Sequence, residues 1–351
     1  MRLTLPPERL ARAKRAFSTR TAPDRALHAI ETADVSPRAG DLVLARVLEV
    51  GAHQRLELTT SRKALLFEGD EIILAYGNRY APDQFEAVAP DDLGPCDLAA
   101  AGGIAARVIA KNERMEEPTR IQPIGLFVDD AGKALNLRGF ALAAPEAAAA
   151  PAMFTVVGGS MNAGKTTTAA SIIKGLTRAG LKVGAAKLTG TGAGNDFWHM
   201  RDAGAFRVLD FTDVGMATTY RADRGELAHG VRTLIGALAQ DGADALVLEV
   251  ADGLFQDETA WLIASGLLKQ PRSGYLYAGE SAASCAMGVH WLRQHGRVLG
   301  LSGLVSQSPL ACREATQATG MRCYTREALA SMEVAAALYD ALMEPCAQAA
   351  A

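Results

Sequence analysis

The sequence predicts an α/β fold, a mostly parallel sheet covered by helices, preceded by a smaller β-rich domain of barrel or sandwich type. Three observations predict it. From 153 to 343, short apolar runs alternate with stretches of helical periodicity, the pattern of strands buried on both faces and joined by helical crossovers. From 40 to 142, the apolar runs are close together and punctuated by Gly51, Gly69-Asp70 and Gly77-Asn78, as in hairpin-connected strands. Between the two regions, residues 143–152 contain APEAAAAPA, which lacks the material for a core and reads as a linker.

The alternating region opens at 153–180 with MFTVVGGSMNAGKTTTAASIIKGLTRAG. Met153, Phe154, Val156 and Val157 form a buried strand, while Ala169, Ile172, Ile173 and Leu176 follow the i, i+3, i+4, i+7 spacing of a helix. Between them, Gly159, four residues, then Gly164, Lys165 and Thr166 satisfy the phosphate-loop pattern. Bare backbone N–H groups at a helix N-terminus wrap an anion there, and glycines let the backbone approach it. Lys165 is expected on the β- and γ-phosphates and the Thr166 hydroxyl on Mg²⁺, with Asn162, Ala163 and Thr167 completing the nucleotide contacts. The expected fold of 153–345 is therefore a P-loop NTPase domain.

Composition bounds the rest. A chain of 351 residues, 49% hydrophobic and 21% charged, accommodates two ordinary globular domains. The N-terminus lacks the apolar core of a signal peptide, and no apolar stretch reaches the roughly 20 residues that cross a bilayer. The expectation is a cytoplasmic protein that does not use the membrane. Cys96, Cys285, Cys312, Cys323 and Cys346 are odd in number and scattered without a CxxC pair, so they are read as reduced and structural.

The first 28 residues carry seven basic against two acidic side chains and are expected as part of a basic helical arm over 1–35, with helices at 7–17 and 26–33. The arm reads as a solvated face, with RNA or a membrane surface as the alternative. The β-rich domain is expected over 36–142. Its stretch 41–92 holds ten acidic against five basic residues, which argues against a nucleic-acid partner. Gly102-Gly103 reads as a plain turn rather than a second ligand loop.

In the alternating region, strands are expected at 183–188, 207–211, 245–250, 274–277, 298–304 and 321–324. Helices are expected at 164–179, 197–203, 226–240, 258–267, 281–294, 310–319 and 326–343, and 346–351 is a tail. Ligands in such a sheet sit beyond the carboxyl ends of the strands, so the residues just after each strand are the candidates. Lys187, Thr189 and Thr191 in KLTGTGAGND suit anionic oxygens, and Asp196 suits Mg²⁺ through water. Glu249 on the apolar strand ALVLEV needs a partner; beside a phosphate loop that partner is the hydrated Mg²⁺, with Asp252 as second choice. Asp210, Asp213 and the hydroxyls of Thr218, Thr219 and Tyr220 are substrate contacts or turn caps. Ser306, Gln307 and Ser308 are where a base-reading loop is expected. His199, His290 and His295 lack ligand spacing, and Trp198, Trp261 and Trp291 are read as core.

GGSMNAGKTTTA, KLTGTG and LVLEVADGLF together resemble the dethiobiotin synthetase-like branch of phosphate-loop proteins, which includes the accessory protein of molybdopterin-guanine dinucleotide synthesis. Lys187 is similar to the branch's lysine closing the second strand, and Glu249 to Gly253 resembles its acidic strand end. The loop is also similar to that of tetrameric thymidine kinases, whose cysteine-bearing zinc segment is absent, and it lacks the extra early lysine of partition ATPases. The resemblance implies binding of ATP, or GTP, with Mg²⁺ and transfer or release of the γ-phosphate onto a small-molecule acceptor or in aid of a cofactor pathway. ATP-dependent activation of a small molecule, with Lys187 orienting the acceptor, is the leading expectation; a nucleotide-gated switch acting on a protein partner is the alternative. Homo-oligomerisation stays open.

Overall fold

The computed structural model describes residues 1–33, 35–146 and 151–344. Residues 147–150 of the expected linker and the expected tail 346–351, with Cys346, lie outside the described residues. The chain divides into two compact units. The first comprises Met1–Leu142 with Gly190–Asn195 and Phe211–Ala222; the second comprises Ala143–Thr189, Asp196–Asp210 and Asp223–Ala351.

The first unit contains β1 (Arg2–Thr4), α1 (Pro7–Arg12), β2 (Lys14–Arg15), β3 (Ala29–Glu31), β4 (Leu42–Glu49), β5 (Arg55–Glu57) and β6 (Lys63–Leu65). It continues with β7 (Glu71–Tyr76), β8 (Arg79–Tyr80), β9 (Phe85–Val88), β10 (Cys96–Ala100), β11 (Ile104–Lys111) and β12 (Thr119–Phe127). Five strands pair in a closed ring, β12–β4–β7–β11–β10 and back to β12, which selects the barrel over the sandwich. The β7–β11 pair is parallel and the other four are antiparallel. Alternation sorts the faces: Val43, Ala45, Val47, Ile72, Leu74, Tyr76 and Leu98 share one core. Leu42, Leu44, Ile73, Ala75 and Ile104 point the other way, into a second core.

That second core is closed by Leu5, Leu27 and Ile30, which corrects the expectation for residues 1–35. Strands β4 and β7 are apolar on both faces, so their outer face must be covered, and the N-terminal segment covers it. It does so with three strands and one six-residue helix; the helix expected at 26–33 is a 3₁₀ turn and β3. Four of its basic side chains pair with carboxylates. Arg9 makes two 2.8 Å bonds to Glu71, Lys14 pairs with Asp70, Arg15 with Asp24, and Arg20 with Asp213 at 2.8 Å.

Segments 190–195 and 211–222 pair with each other in this unit: Gly192 N donates to Ala217 O (3.0 Å), Gly190 N to Thr219 Oγ1 (2.8 Å), and Thr191 bridges Thr218. A Cβ at Gly102 would lie 1.9 Å from the Gly192 carbonyl oxygen, so the Gly102-Gly103 turn is glycine because another backbone crosses it.

The second unit contains β13 (Ala152–Gly158), α2 (Lys165–Arg178), β14 (Val183–Lys187), β15 (Arg207–Asp210), α4 (Arg224–Gln240), β16 (Ala245–Glu249) and α5 (Asp257–Ala264). It ends with β17 (Ser273–Ala278), α6 (Ala282–Leu292), β18 (Val298–Ser302), α7 (Pro309–Thr319), α8 (Arg326–Leu329) and α9 (Met332–Met343). Helix α3 (Gly194–Asp202) starts in the first unit's segment and continues in the second. The six strands are all parallel, in the order β15-β14-β16-β13-β17-β18. This is an α/β fold in which the glycine-bearing 159–166 loop leaves a central strand, β13. Ala169, Ile172, Ile173 and Leu176 of α2 are fully buried against the sheet.

Two expected elements differ. Residues 321–324 contribute one bridge, Cys323 to Leu301, rather than a strand. The helix expected over 326–343 breaks at Ala330-Ser331, where the Ser331 hydroxyl caps a new start by accepting from Val334 N at 3.3 Å.

Candidate functional site

The parallel register brings the candidate charges to one edge. Lys187, the last residue of β14, lies opposite Glu249, the last of β16, and Asp210, the last of β15, lies opposite Lys187. Val156 of β13 is level with Glu249, two residues before that strand ends at Gly158. The phosphate loop therefore starts just beyond the ends of the charged strands.

The loop is built by conformation and by space. Asn162 has φ +66° and Gly164 has φ +98°, and Gly164 is the N-cap of α2. A Cβ at Gly164 would sit 2.9 Å from the Gly303 Cα. One at Gly159 would sit 2.6–2.8 Å from Ser284 Oγ, Glu280 Oε2 and the Tyr277 hydroxyl. Ala163 is fully buried and its carbonyl accepts from Leu304 N at 3.1 Å. Thr167 lines a cavity of about 570 Å³ beside the loop, together with Gly164, Ser306 and Gln307. Ser308 instead caps α7, accepting from Ala311 N.

Lys165 is only 6% exposed, and its Nζ donates to the Ser160 carbonyl at 2.7 Å. Burial lowers its pKa, against the opposing pull of Glu249 and Asp252. Thr166 Oγ1 lies 3.0 Å from Asp196 Oδ1 and 3.1 Å from Glu249 Oε1. Lys187 Nζ donates to Asp196 Oδ2. Burial pushes the Lys187 ammonium down, but Asp196 and Glu249 outweigh it and hold its pKa above the usual lysine value. Glu249 is 2% exposed; burial, then the neighbouring Asp196, push its carboxyl up to about 7. Glu249 Oε2 is buried and has no hydrogen-bond partner among the described residues.

One hydroxyl proton of Thr166 cannot serve two carboxylates at once, and Glu249 Oε2 has no donor among the described residues. The cluster thus holds more oxygen lone pairs than protons, which fits a hard cation. Among the described residues, no group of three or more His, Cys, Asp or Glu side chains is arranged to hold a metal ion. A cation here would take its remaining oxygens from phosphate and water, as Mg²⁺ does.

Other candidates lie elsewhere. Thr189 donates to the Ala251 carbonyl, and Thr191 and Thr218 pair backbones in the first unit, where Asp213 holds Arg20. The tryptophans are not core: Trp198 is 40% exposed, and Trp261 and Trp291 are half-buried. Sequence reasoning missed Glu280, which binds Ser160 Oγ through Oε1 and Ser284 Oγ at 2.8 Å through Oε2, with the Tyr277 hydroxyl 3.0 Å from Ser284. The signal was present, since Glu280 comes two residues after the apolar run of β17 ends at Ala278, close to where Lys187 and Glu249 end theirs.

No protein-family model matches the chain, and no curated protein matches it either. Among solved structures it is similar to the signal recognition particle 54 kDa protein of Aeropyrum pernix K1 in complex with GDP, at 19% identity and a TM-score of 0.37. That match covers 56% of this chain and 49% of the other, so the chain spans about half the length of that relative. It is also similar to chloroplast FtsY from Physcomitrella patens, at 16% identity and a TM-score of 0.37, covering 59% of this chain and 71% of that one. No helix among the described residues is long and apolar enough to cross a membrane.

Proposed function

We propose that the second unit binds a nucleoside triphosphate with Mg²⁺ at the 159–167 loop and hydrolyses the γ-phosphate or transfers it. The observation that carries this reading is the Thr166 hydroxyl between Asp196 and Glu249, with the orphaned Glu249 Oε2 beside it. Thr166 and Glu249 would hold Mg²⁺, with Asp196 reaching it through water. The ion, when bound, supplies charge neutralisation on the phosphate oxygens.

The chain's own groups do the rest. Lys165 leaves the Ser160 carbonyl for the phosphates, and the loop amides with Lys165 stabilise charge gathering on the transferring group. Asp252 adds negative field at Lys165 and Lys187 that opposes the effect of burial on both ammoniums. Lys187 shares Asp196 with the Thr166 hydroxyl, which supports a role for it in orienting an acceptor. This supports the finer reading, ATP-dependent activation of a small molecule on the pattern of the dethiobiotin synthetase-like branch.

A switch reading has its own support. Gly194 N, the first N–H of α3, donates to the buried Glu57 Oε2 at 3.0 Å, two residues before Asp196. Any movement of Asp196 on nucleotide binding therefore pulls on a residue fixed in the first unit.

Phosphate release from MgATP and MgGTP, with and without a pooled metabolite extract, tests both. Release by the wild type and not by Lys165→Ala supports the site; stimulation by the extract selects the small-molecule reading. Slow release indifferent to the extract selects the switch, and equal rates in the two proteins refute the assignment.

A further inference from the structure

Three cysteines that look scattered in the sequence meet in the second unit. Cys285 lies on α6, Cys312 on α7, and Cys323 makes the single bridge to Leu301 of β18. Cys312 Sγ is 2.9 Å from Cys323 Sγ, and both residues are partly exposed. Cys285 is buried behind them, against Gly279. The three are not arranged to hold a metal ion, so the reactive unit is the pair. Its sulfurs need to approach by only about 0.9 Å to reach the ~2.05 Å of a disulfide.

The pair does not line the cavity beside the 159–166 loop but sits on the two segments that contribute Pro309 and Thr325 to its lining. Cys312 follows Pro309 by three residues on α7, and Cys323 precedes Thr325 by two; Pro309, Thr325 and Arg326 line that cavity with Gly164. The Cys312 sulfur also faces the Val305 carbonyl at 3.9 Å, in the turn that carries Ser306 and Gln307. A bond between the sulfurs would tie α7 to the segment entering α8 and fix the cavity's width.

We propose that Cys312 and Cys323 are a thiol–disulfide modification site that closes by exchange with a low-molecular-weight disulfide and alters nucleotide binding at the neighbouring cavity. The second half rests on the nucleotide reading above. In the first step the Cys312 thiolate attacks one sulfur of the small disulfide, whose S–S bond breaks, and one small thiolate leaves. Cys323, having released its proton to solvent, then attacks the Cys312 sulfur of the mixed disulfide and expels the second small thiolate. The protein loses two protons and two electrons, and the small disulfide is reduced to two thiols. Cys312 acts first, because burial and Cys312 itself push the Cys323 thiol up, and the second influence ends once Cys312 is capped.

The test uses the full chain, incubated with oxidised or reduced glutathione, then mapped by peptide mass spectrometry and titrated with MgATP and MgGTP. The expected result is a Cys312–Cys323 cross-link in the wild type and none in Cys312→Ser. Affinity of the oxidised wild type should change by at least about fivefold, the low end of ordinary coupling between sites, and Cys312→Ser should not respond. A stable glutathione adduct on Cys312 with Cys323 free, or no reaction at either, overturns the modification site. Cross-linking with unchanged affinity overturns the coupling. If neither redox form binds either nucleotide, the nucleotide reading and the coupling fail together, and the mapping alone decides the disulfide.

Discussion

Thr166 Oγ1 and Glu249 Oε1 lie 3.1 Å apart, one on the first turn of α2 and the other on the last residue of β16. The parallel pairing of β13 with β16 brings them together, because β13 leads into the loop that starts α2. A neutral hydroxyl against a buried carboxyl whose other oxygen is orphaned is a costly arrangement without a ligand.

That cost makes the site pH-dependent. With Glu249 raised from 4.5 to about 7, the native chain keeps a proton that the unfolded chain has lost between those values. Stability contributed by the protonated carboxyl is full below about 4.5, declines as pH rises toward 7, and is gone above it. Mg²⁺ runs the other way, since it requires the carboxylate: Mg²⁺-dependent nucleotide affinity should fall by up to about tenfold per pH unit below 7. Glu249→Gln should abolish the slope in calorimetric titrations between pH 5.5 and 8 and slow phosphate release by roughly 10²-fold. A variant that keeps the wild-type slope sinks the assignment.

Lys165→Ala should lower nucleotide affinity by roughly 10- to 100-fold, the loss expected of a charged contact to phosphate worth about 1.5–3 kcal/mol. The fold should survive, because among the described residues the lysine hydrogen-bonds only the Ser160 carbonyl, and its burial already disfavours the charge. Isothermal titration with MgATP and MgGTP, beside a melting curve of the unliganded protein, separates the two effects. Unaltered affinity would show that the phosphates lie elsewhere.

Lys187 and Asp196 form a largely enclosed pair, their side chains 11% and 18% exposed. Lys187→Met leaves Asp196 and Glu249 without that cation, which should destabilise the unit by about 3–5 kcal/mol. Adding Asp196→Asn removes the orphaned charge and should recover part of the loss. Chemical denaturation of the wild type, both single variants and the double variant measures the coupling. If the two single losses add, the pair is not a pair.

The sheet and its site were legible because their signals are local. The apolar runs ending at Gly158, Lys187 and Glu249 mark strands whose next residues must lie at one edge, and Gly159, Gly164, Lys165 and Thr166 are contiguous. Where the sequence misled, the deciding interaction was distant. Residues 1–35 read as a basic helical arm because the carboxylates that hold Arg9 and Arg20, Glu71 and Asp213, are 62 and 193 residues away in sequence. Cys312 and Cys323 read as unrelated for the same reason. Gly102 reads as an ordinary turn, since nothing in its neighbours announces that residue 192 crosses it.

Gly102 therefore offers a test of the first unit. The nearest atom to a Cβ at that position is the Gly192 carbonyl oxygen at 1.9 Å, backbone rather than a movable side-chain tip, so Gly102→Ala must displace the 190–195 segment. The expected cost is that of overpacking, about 1–3 kcal/mol. A lower melting temperature by several degrees should accompany it, at roughly 2–4 °C per kcal/mol for a unit of this size. Because that segment runs through Gly194 into α3 and Asp196, nucleotide turnover should fall as well, at a temperature where the variant is still folded. Gly139→Ala is the control: no described residue lies within 4 Å of its Cβ position, and it should melt with the wild type. Equal melting of all three proteins would mean that the segment yields without cost and that its glycines do not hold Asp196 in place.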